Sequence, residues 1–258
     1  MGLTHWRELS DRGQDLVLCL DFPGGRAVAG FPDLAAGVTA DASFLHLADP
    51  GTGAVDERAE RWVAEVSATG RPVRAVLGFC AGAALATCVA DAVAESGPPP
   101  PVLLFDAVAT TAGSLSHQFT STLETSADHL TEAELDDARA LADGLVEAHP
   151  DDPPRIAAAL VERYDALMGE VAARLSLNDF FRRQLTGGFT AYLDYLLLAA
   201  QGRFHTRFGE PVFVSSREHE PPVDGVERRD VDVEHSDLLR AAEVHDLVAG
   251  LLMGERTW

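Results

Sequence analysis

The chain has 258 residues, 47% of them hydrophobic and 24% charged, which suits one large α/β domain with its own core and excludes a disordered or low-complexity polypeptide. Its formal charge is −21, from 20 basic and 41 acidic residues, and every basic residue is an arginine. That acidic excess excludes the basic footprint of a phosphate-backbone binder, so nucleic acid is not an expected partner.

Asp15 to Asp21 is a short apolar run closed by Phe22-Pro23-Gly24-Gly25, the signature of a strand entering a glycine-rich loop. Ser43 to Leu47 reads as a second strand, followed by Ala48-Asp49-Pro50-Gly51. Between Val55 and Ser67, Ala59, Trp62, Val63 and Val66 recur at helical spacing. Val73 to Leu77 reads as a buried strand, Ala81 to Glu95 as a helix of small residues, and Val102 to Asp106 as the next strand. Strands alternating with helices in this way predict a doubly wound, mostly parallel sheet.

From about Ala112 to Gly202 the pattern changes to helical periodicity alone, with helices predicted over 132–147, 155–175 and 177–201. The acidic run from Thr131 to Asp137 reads as a solvated helix start, and Phe180, Phe189, Tyr192 and Tyr195 as helix packing. Strands resume at Pro211 to Ser215 and at 226–233, and a helix over 237–253 closes the sequence. The expected organisation is a core of residues 1–112 and 203–258, interrupted by a helical lid over 113–202. The longest apolar run, Tyr195 to Ala200, is too short to cross a membrane, and the amino terminus lacks the charge and apolar stretch of a secretory signal. With Cys19, Cys80 and Cys88 forming no disulfide framework, a reducing, cytoplasmic location is expected.

The chemistry concentrates at Gly78-Phe79-Cys80-Ala81-Gly82, a G-x-nucleophile-x-G turn between a predicted strand and a predicted helix. Such a turn is sharp, so the residues two places either side must be small, and the helix start beneath the thiol should favour its thiolate. Asp106 ends the following strand, where carboxylates face the ligand crevice of a parallel sheet. His235 follows the last predicted strand, just before the final helix. Singly, these residues can be read as a small buried hydrophobe, a turn residue and a surface histidine. Together they stand in the order nucleophile, acid, base, each on the loop a triad requires. His235 is expected to take the thiol proton and Asp106 to orient the imidazole. The Ala81 N–H and an N–H from the Gly24-Gly25 loop are expected to hold the oxyanion. No metal site stands out, because the histidines are scattered and no cysteine pair has ligand spacing.

These motifs resemble the thioesterases of nonribosomal peptide and polyketide assembly lines, members of the α/β-hydrolase superfamily, and the resemblance runs over most of the chain. Leu18 to Gly25 looks like their first strand and oxyanion loop, Pro50-Gly51 like their Pro-Gly turn, and His235 with Leu238-Leu239 like their histidine loop. The resemblance implies acyl or peptidyl substrates tethered to the phosphopantetheine of a carrier protein, with no cofactor bound by the enzyme itself. It departs in having Cys80 where serine is usual and Ala83 where a second glycine follows the turn. Some stand-alone members carry the acid later, which makes Glu218 or Glu220 the alternative to Asp106. Attack by a thiol on a thioester yields another thioester and keeps the acyl group activated, which tilts the expectation from hydrolysis toward transfer. A dienelactone-hydrolase-like enzyme, which also uses a G-x-C-x-G turn, and a non-catalytic binding protein of the same fold are the alternatives.

Overall fold

Leucine and β-branched residues in short runs give a sheet whose central strands are buried on both faces. The computed structural model describes residues 3–22 and 28–254. In chain order the first elements are β1 (Trp6–Ser10), β2 (Asp15–Leu20), α1 (Phe31–Gly37), β3 (Ala42–Leu47) and α2 (Val55–Ser67). They are followed by β4 (Val73–Phe79), α3 (Gly82–Ala94) and β5 (Val102–Phe105). Next come α4 (Ala112–Glu124), α5 (Glu132–Ala148), α6 (Pro153–Arg174) and α7 (Asp179–Ala199). The last are β6 (Val212–Ser215), β7 (Arg228–Asp230) and α8 (Ala242–Met253), with a 3-10 turn over His235–Arg240 before α8. The chain divides into two compact units, residues 1–109 with 201–258, and residues 110–200.

The first unit is a seven-stranded sheet of order β1-β3-β2-β4-β5-β6-β7, parallel except for β1. One layer of side chains, including Val17, Cys19, Leu77, Phe79, Phe105 and Val214, packs with Phe31 and Leu34 of α1 and Val244 and Val248 of α8. Because side chains alternate along a strand, Gly78 faces the other way, onto α3, which packs across β2, β4 and β5. The expected doubly wound, mostly parallel α/β sheet is therefore present.

Four elements differ from expectation for local reasons. β1 reads as polar because only Trp6 is buried; its indole N–H donates to the Trp62 carbonyl at 3.1 Å. The short α1 begins where the Asp33 carboxylate accepts from the Gly30 N–H at 2.9 Å, a cap too brief to show as a periodic pattern. The strand expected over 226–233 contracts to the three residues of β7. The expected closing helix divides at Ala241, whose extended backbone separates the 3-10 turn from α8.

The second unit is all helical. Its helices start on side-chain caps: Thr111 for α4, Thr131 with Glu134 for α5, and Asp152 for α6. The ring of Phe189 lies 4.4 Å from that of Tyr164 and 6.0 Å from that of Phe119, fastening α7 to α6 and α4. Arg182 pairs with Asp165 at 3.0 Å across α6 and α7. No helix among the described residues is long and apolar enough to cross a membrane.

A methyl group at Gly78 would lie 2.5 Å from the Ala83 Cα and 2.8 Å from the Ala86 Cβ, so Gly78→Ala forces α3 off the sheet. Overpacking of this kind costs about 1–3 kcal/mol. Gly144 of α5 has open space around it, and Gly144→Ala should instead stabilise by roughly 0.5–1 kcal/mol. Urea midpoints moving in opposite directions for the two variants are the expected outcome.

Candidate active site

The sheet register delivers three loops to one edge. Phe79 of β4 is paired with Phe105 of β5, and Phe105 with Val214 of β6. Cys80 and Asp106 therefore leave adjacent strands at the same level, at the carboxyl ends where α/β folds place their ligands.

Cys80 sits between the last residue of β4 and the start of α3 with a backbone φ of 54°. This left-handed conformation is uncommon for a side chain with a Cβ and marks a held, strained turn. Its N–H donates to the Phe105 carbonyl at 2.9 Å. Its own carbonyl accepts from the Ala83 N–H at 3.2 Å and the Val108 N–H at 3.3 Å. Ala81 opens the first turn of α3. Gly24 and Gly25, expected to complete an oxyanion hole, lie outside the described residues.

The three cysteines differ in surroundings. Cys19 and Cys88 are buried, at 0% and 2% exposure, and burial pushes both thiols above their ordinary value, for Cys88 against the opposing charge of Arg203. Cys80 is only half-buried. A thiol held protonated and away from solvent is inert, which leaves Cys80 as the thiol placed for chemistry.

Asp106 also has a left-handed backbone, with φ of 40°, and is 0% exposed. Its N–H donates to the Val214 carbonyl at 2.9 Å. Its Oδ1 accepts from the Ser216 N–H at 2.7 Å, and its Oδ2 from the Ser216 hydroxyl at 2.7 Å. Oδ2 also lies 2.6 Å from Nδ1 of His235. Nδ1 is the donor in that pair, because an ionised carboxylate can only accept, and Nε2 is left as the nitrogen that can exchange a proton. Burial pushes the Asp106 carboxyl up, but hydrogen bonds from His235 and from the hydroxyl and N–H of Ser216, with the charge of His219, outweigh it. The net result is a carboxyl below its ordinary value, ionised at neutral pH.

His235 stacks on the ring of Phe79, with centroids 5.1 Å apart and planes 17° from parallel. The residue preceding the nucleophile candidate is thus the platform for the base candidate. The loop carrying His235 is tied back to the loop after β6: the Arg217 N–H donates to the Val233 carbonyl at 2.8 Å, and its guanidinium bonds Asp232 at 2.8 Å. His219 donates through Nε2 to the Ala107 carbonyl at 3.1 Å, placing Nδ1 4.0 Å from Asp106 Oδ1.

Of the carboxylates weighed as triad acid, Asp106 is the one in contact with His235. Glu220 pairs with Arg228 at 2.6 Å and is exposed, and Glu218 is an exposed residue on a left-handed turn. Ser216, Phe79 and His219 were not singled out by sequence. Their roles arise through space, and the one available hint was a pair of serines closing a predicted strand. A cavity of about 600 Å³ lined by Arg74, Pro101, Val102 and Leu251 lies at the opposite ends of β4 and β5, away from these groups.

No protein-family profile and no curated protein matches this sequence. Solved structures do match its fold. The Vlm2 thioesterase domain bound with a dodecadepsipeptide superposes with a TM-score of 0.51 at 15% identity, over 96% of this chain and 97% of that one. RedJ, with a polyethylene glycol molecule in its active site, gives a TM-score of 0.51 at 15% identity, over 93% and 92%. The four-domain nonribosomal peptide synthetase AB3403 gives 0.54 at 17% identity, over 99% of this chain and 20% of that one. The chain has the α/β-hydrolase fold of these thioesterase domains. At such identities the likeness is one of fold, and the chemistry has to be argued from the site.

Two outcomes are expected. Iodoacetamide should label Cys80 in the native protein, and Cys19 and Cys88 only after unfolding, as read by peptide mass spectrometry. The second concerns pH. A carboxyl depressed by folding stabilises the fold above its unfolded value of 3.8, and that contribution is lost as pH falls through the lower folded value. The Tm difference between wild type and Asp106→Asn should therefore be constant above about pH 5 and narrow below about pH 4.

Proposed function

We propose that this protein is a thioesterase-type enzyme that takes acyl or peptidyl groups from the phosphopantetheine of a carrier protein onto Cys80, then releases or transfers them. The observation that carries the reading is the pairing of the buried Asp106 with His235 at 2.6 Å, at the sheet edge where the Cys80 turn emerges. The fold shared with thioesterase domains supports it.

His235 Nε2 takes the proton of the Cys80 thiol, and the sulfur attacks the thioester carbonyl carbon. The negative charge moves onto the carbonyl oxygen, facing the Ala81 N–H. As the tetrahedral intermediate collapses, the bond to the pantetheine sulfur breaks and His235 returns the proton to that sulfur. The acyl group is then a thioester of Cys80. An incoming nucleophile (water, an amine, a hydroxyl or another thiol) gives its proton to His235 and attacks the same carbonyl, regenerating the thiol. The first exchange is close to energy-neutral, so the intermediate keeps its capacity for transfer. Asp106 fixes the imidazole tautomer throughout and stabilises the imidazolium.

The helical unit of residues 110–200 is proposed as the lid. An acid on the strand directly after the nucleophile helix, together with this insertion, supports the thioesterase reading over a dienelactone-hydrolase-like one. The acyl-loaded carrier protein is the proposed partner, and no further cofactor is required.

Incubation with acyl-loaded carrier protein, followed by intact mass spectrometry, tests this. The wild type should gain the acyl mass and Cys80→Ala should not. Asp106→Asn should load about 10²–10⁴-fold more slowly, because it disturbs the tautomer and charge balance of His235. Discharge of the adduct to an added thiol or amine, rather than to water, identifies a transferase. Wild type that neither loads nor turns over any of several acyl groups counts against the thioesterase reading and leaves the dienelactone-hydrolase-like and binding-protein readings to be tested next.

A further inference from the structure

The acid of this site is supported more heavily than orientation of an imidazole requires. Asp106 has no contact with solvent, and both of its oxygens are engaged by one residue, Ser216. The N–H of Ser216 meets Oδ1 and its hydroxyl meets Oδ2, each at 2.7 Å. Ser216 is itself 2% exposed, so no water competes for either bond. The hydroxyl shares Oδ2 with His235, and it therefore sets both the plane of the carboxylate and the charge on the oxygen that faces the imidazole. The serine is fixed in turn by its neighbours. Ser215 accepts from the Val231 N–H at 2.8 Å, and Arg217 reaches the Val233 carbonyl, two residues before His235.

We propose that Ser216 is a positioning residue for acyl transfer, holding the Asp106 carboxylate in the plane of the His235 imidazole from the loop after β6. This rests on the reading of Cys80, Asp106 and His235 as a triad. The backbone N–H fixes Oδ1, whereas the donor that His235 brings to Oδ2 belongs to a part-exposed ring that can turn together with the carboxylate about its Cβ–Cγ bond. The hydroxyl removes that freedom. Its own loss leaves a smaller side chain in a buried place without orphaning a donor, so Ser216→Ala should remain folded. His219, 4.0 Å from Oδ1, and His235 are the titratable groups against the carboxylate, and neither is altered by the substitution.

Two measurements on the full chain test the proposal. The first is the proton NMR signal of the His235 Nδ1–H, expected far downfield in the wild type and absent in Asp106→Asn. In Ser216→Ala it should shift or broaden as the carboxylate loosens; an unchanged signal overturns the proposal. The second is single-turnover loading of Cys80 from acyl carrier protein. Ser216→Ala should lower the loading rate about tenfold, with half-saturating substrate unchanged. In an Asp106→Asn background the same substitution should cost nothing further, because the hydroxyl acts through the carboxylate. An equal loss in both backgrounds marks a merely structural role and overturns the proposal. If wild type fails to load while the NMR signal still responds to Ser216→Ala, the thioesterase reading fails and the positioning role stands.

Discussion

A carboxylate sealed from water has to find all of its donors within the protein, because an ionised group left unpaired in such a place is strongly destabilising. Asp106 meets that requirement with three bonds from two loops, and in doing so joins the ends of β5 and β6 to the turn before α8. The arrangement works only in one register. A slip of one residue between β5 and β6 would turn the Ser216 hydroxyl away and leave the carboxylate buried and short of partners. The architecture of the first unit and the geometry of its candidate chemistry therefore rest on the same contacts.

The sequence was most informative where chemistry and topology coincide. Cys80, Asp106 and His235 each follow a strand in an order that chain connectivity alone can display, and small residues at positions 78 and 82 signalled the tight turn. That Asp106 and His235 touch, 129 positions apart in the sequence, could not be read from spacing. The stack of His235 on Phe79 and the grip of Ser216 on the acid were hidden for the same reason. Among the elements, the missed ones were short or polar. A seven-residue α1 and a β1 with one buried side chain carry too little periodicity to register, although backbone hydrogen bonds define both in three dimensions.

The cysteines illustrate how surroundings rather than residue type decide reactivity. Cys88 belongs to α3, the helix that begins two residues after Cys80, yet it is packed as a small apolar group. Beside it, Asp91 is 1% exposed and is neutralised by Arg203 at 2.6 Å and Arg207 at 3.4 Å. Those two arginines fasten the segment that follows the helical insertion onto α3. In a chain of net charge −21, arginines committed to a buried carboxylate in this way do not form a cationic surface.

The two outer strands of the sheet have a bearing on how the molecule behaves in a crowd. An open row of backbone donors and acceptors invites another chain to add itself as a further strand. On one side the pairing of β1 with β3 is interrupted by an irregularity between Glu8 and Ser10, which bends the outermost strand. On the other, β7 is three residues long and consists of two arginines and an aspartate. Brevity and charge on one border and a kink on the other make both poor templates, so a sheet with so apolar an interior is protected against growing from molecule to molecule.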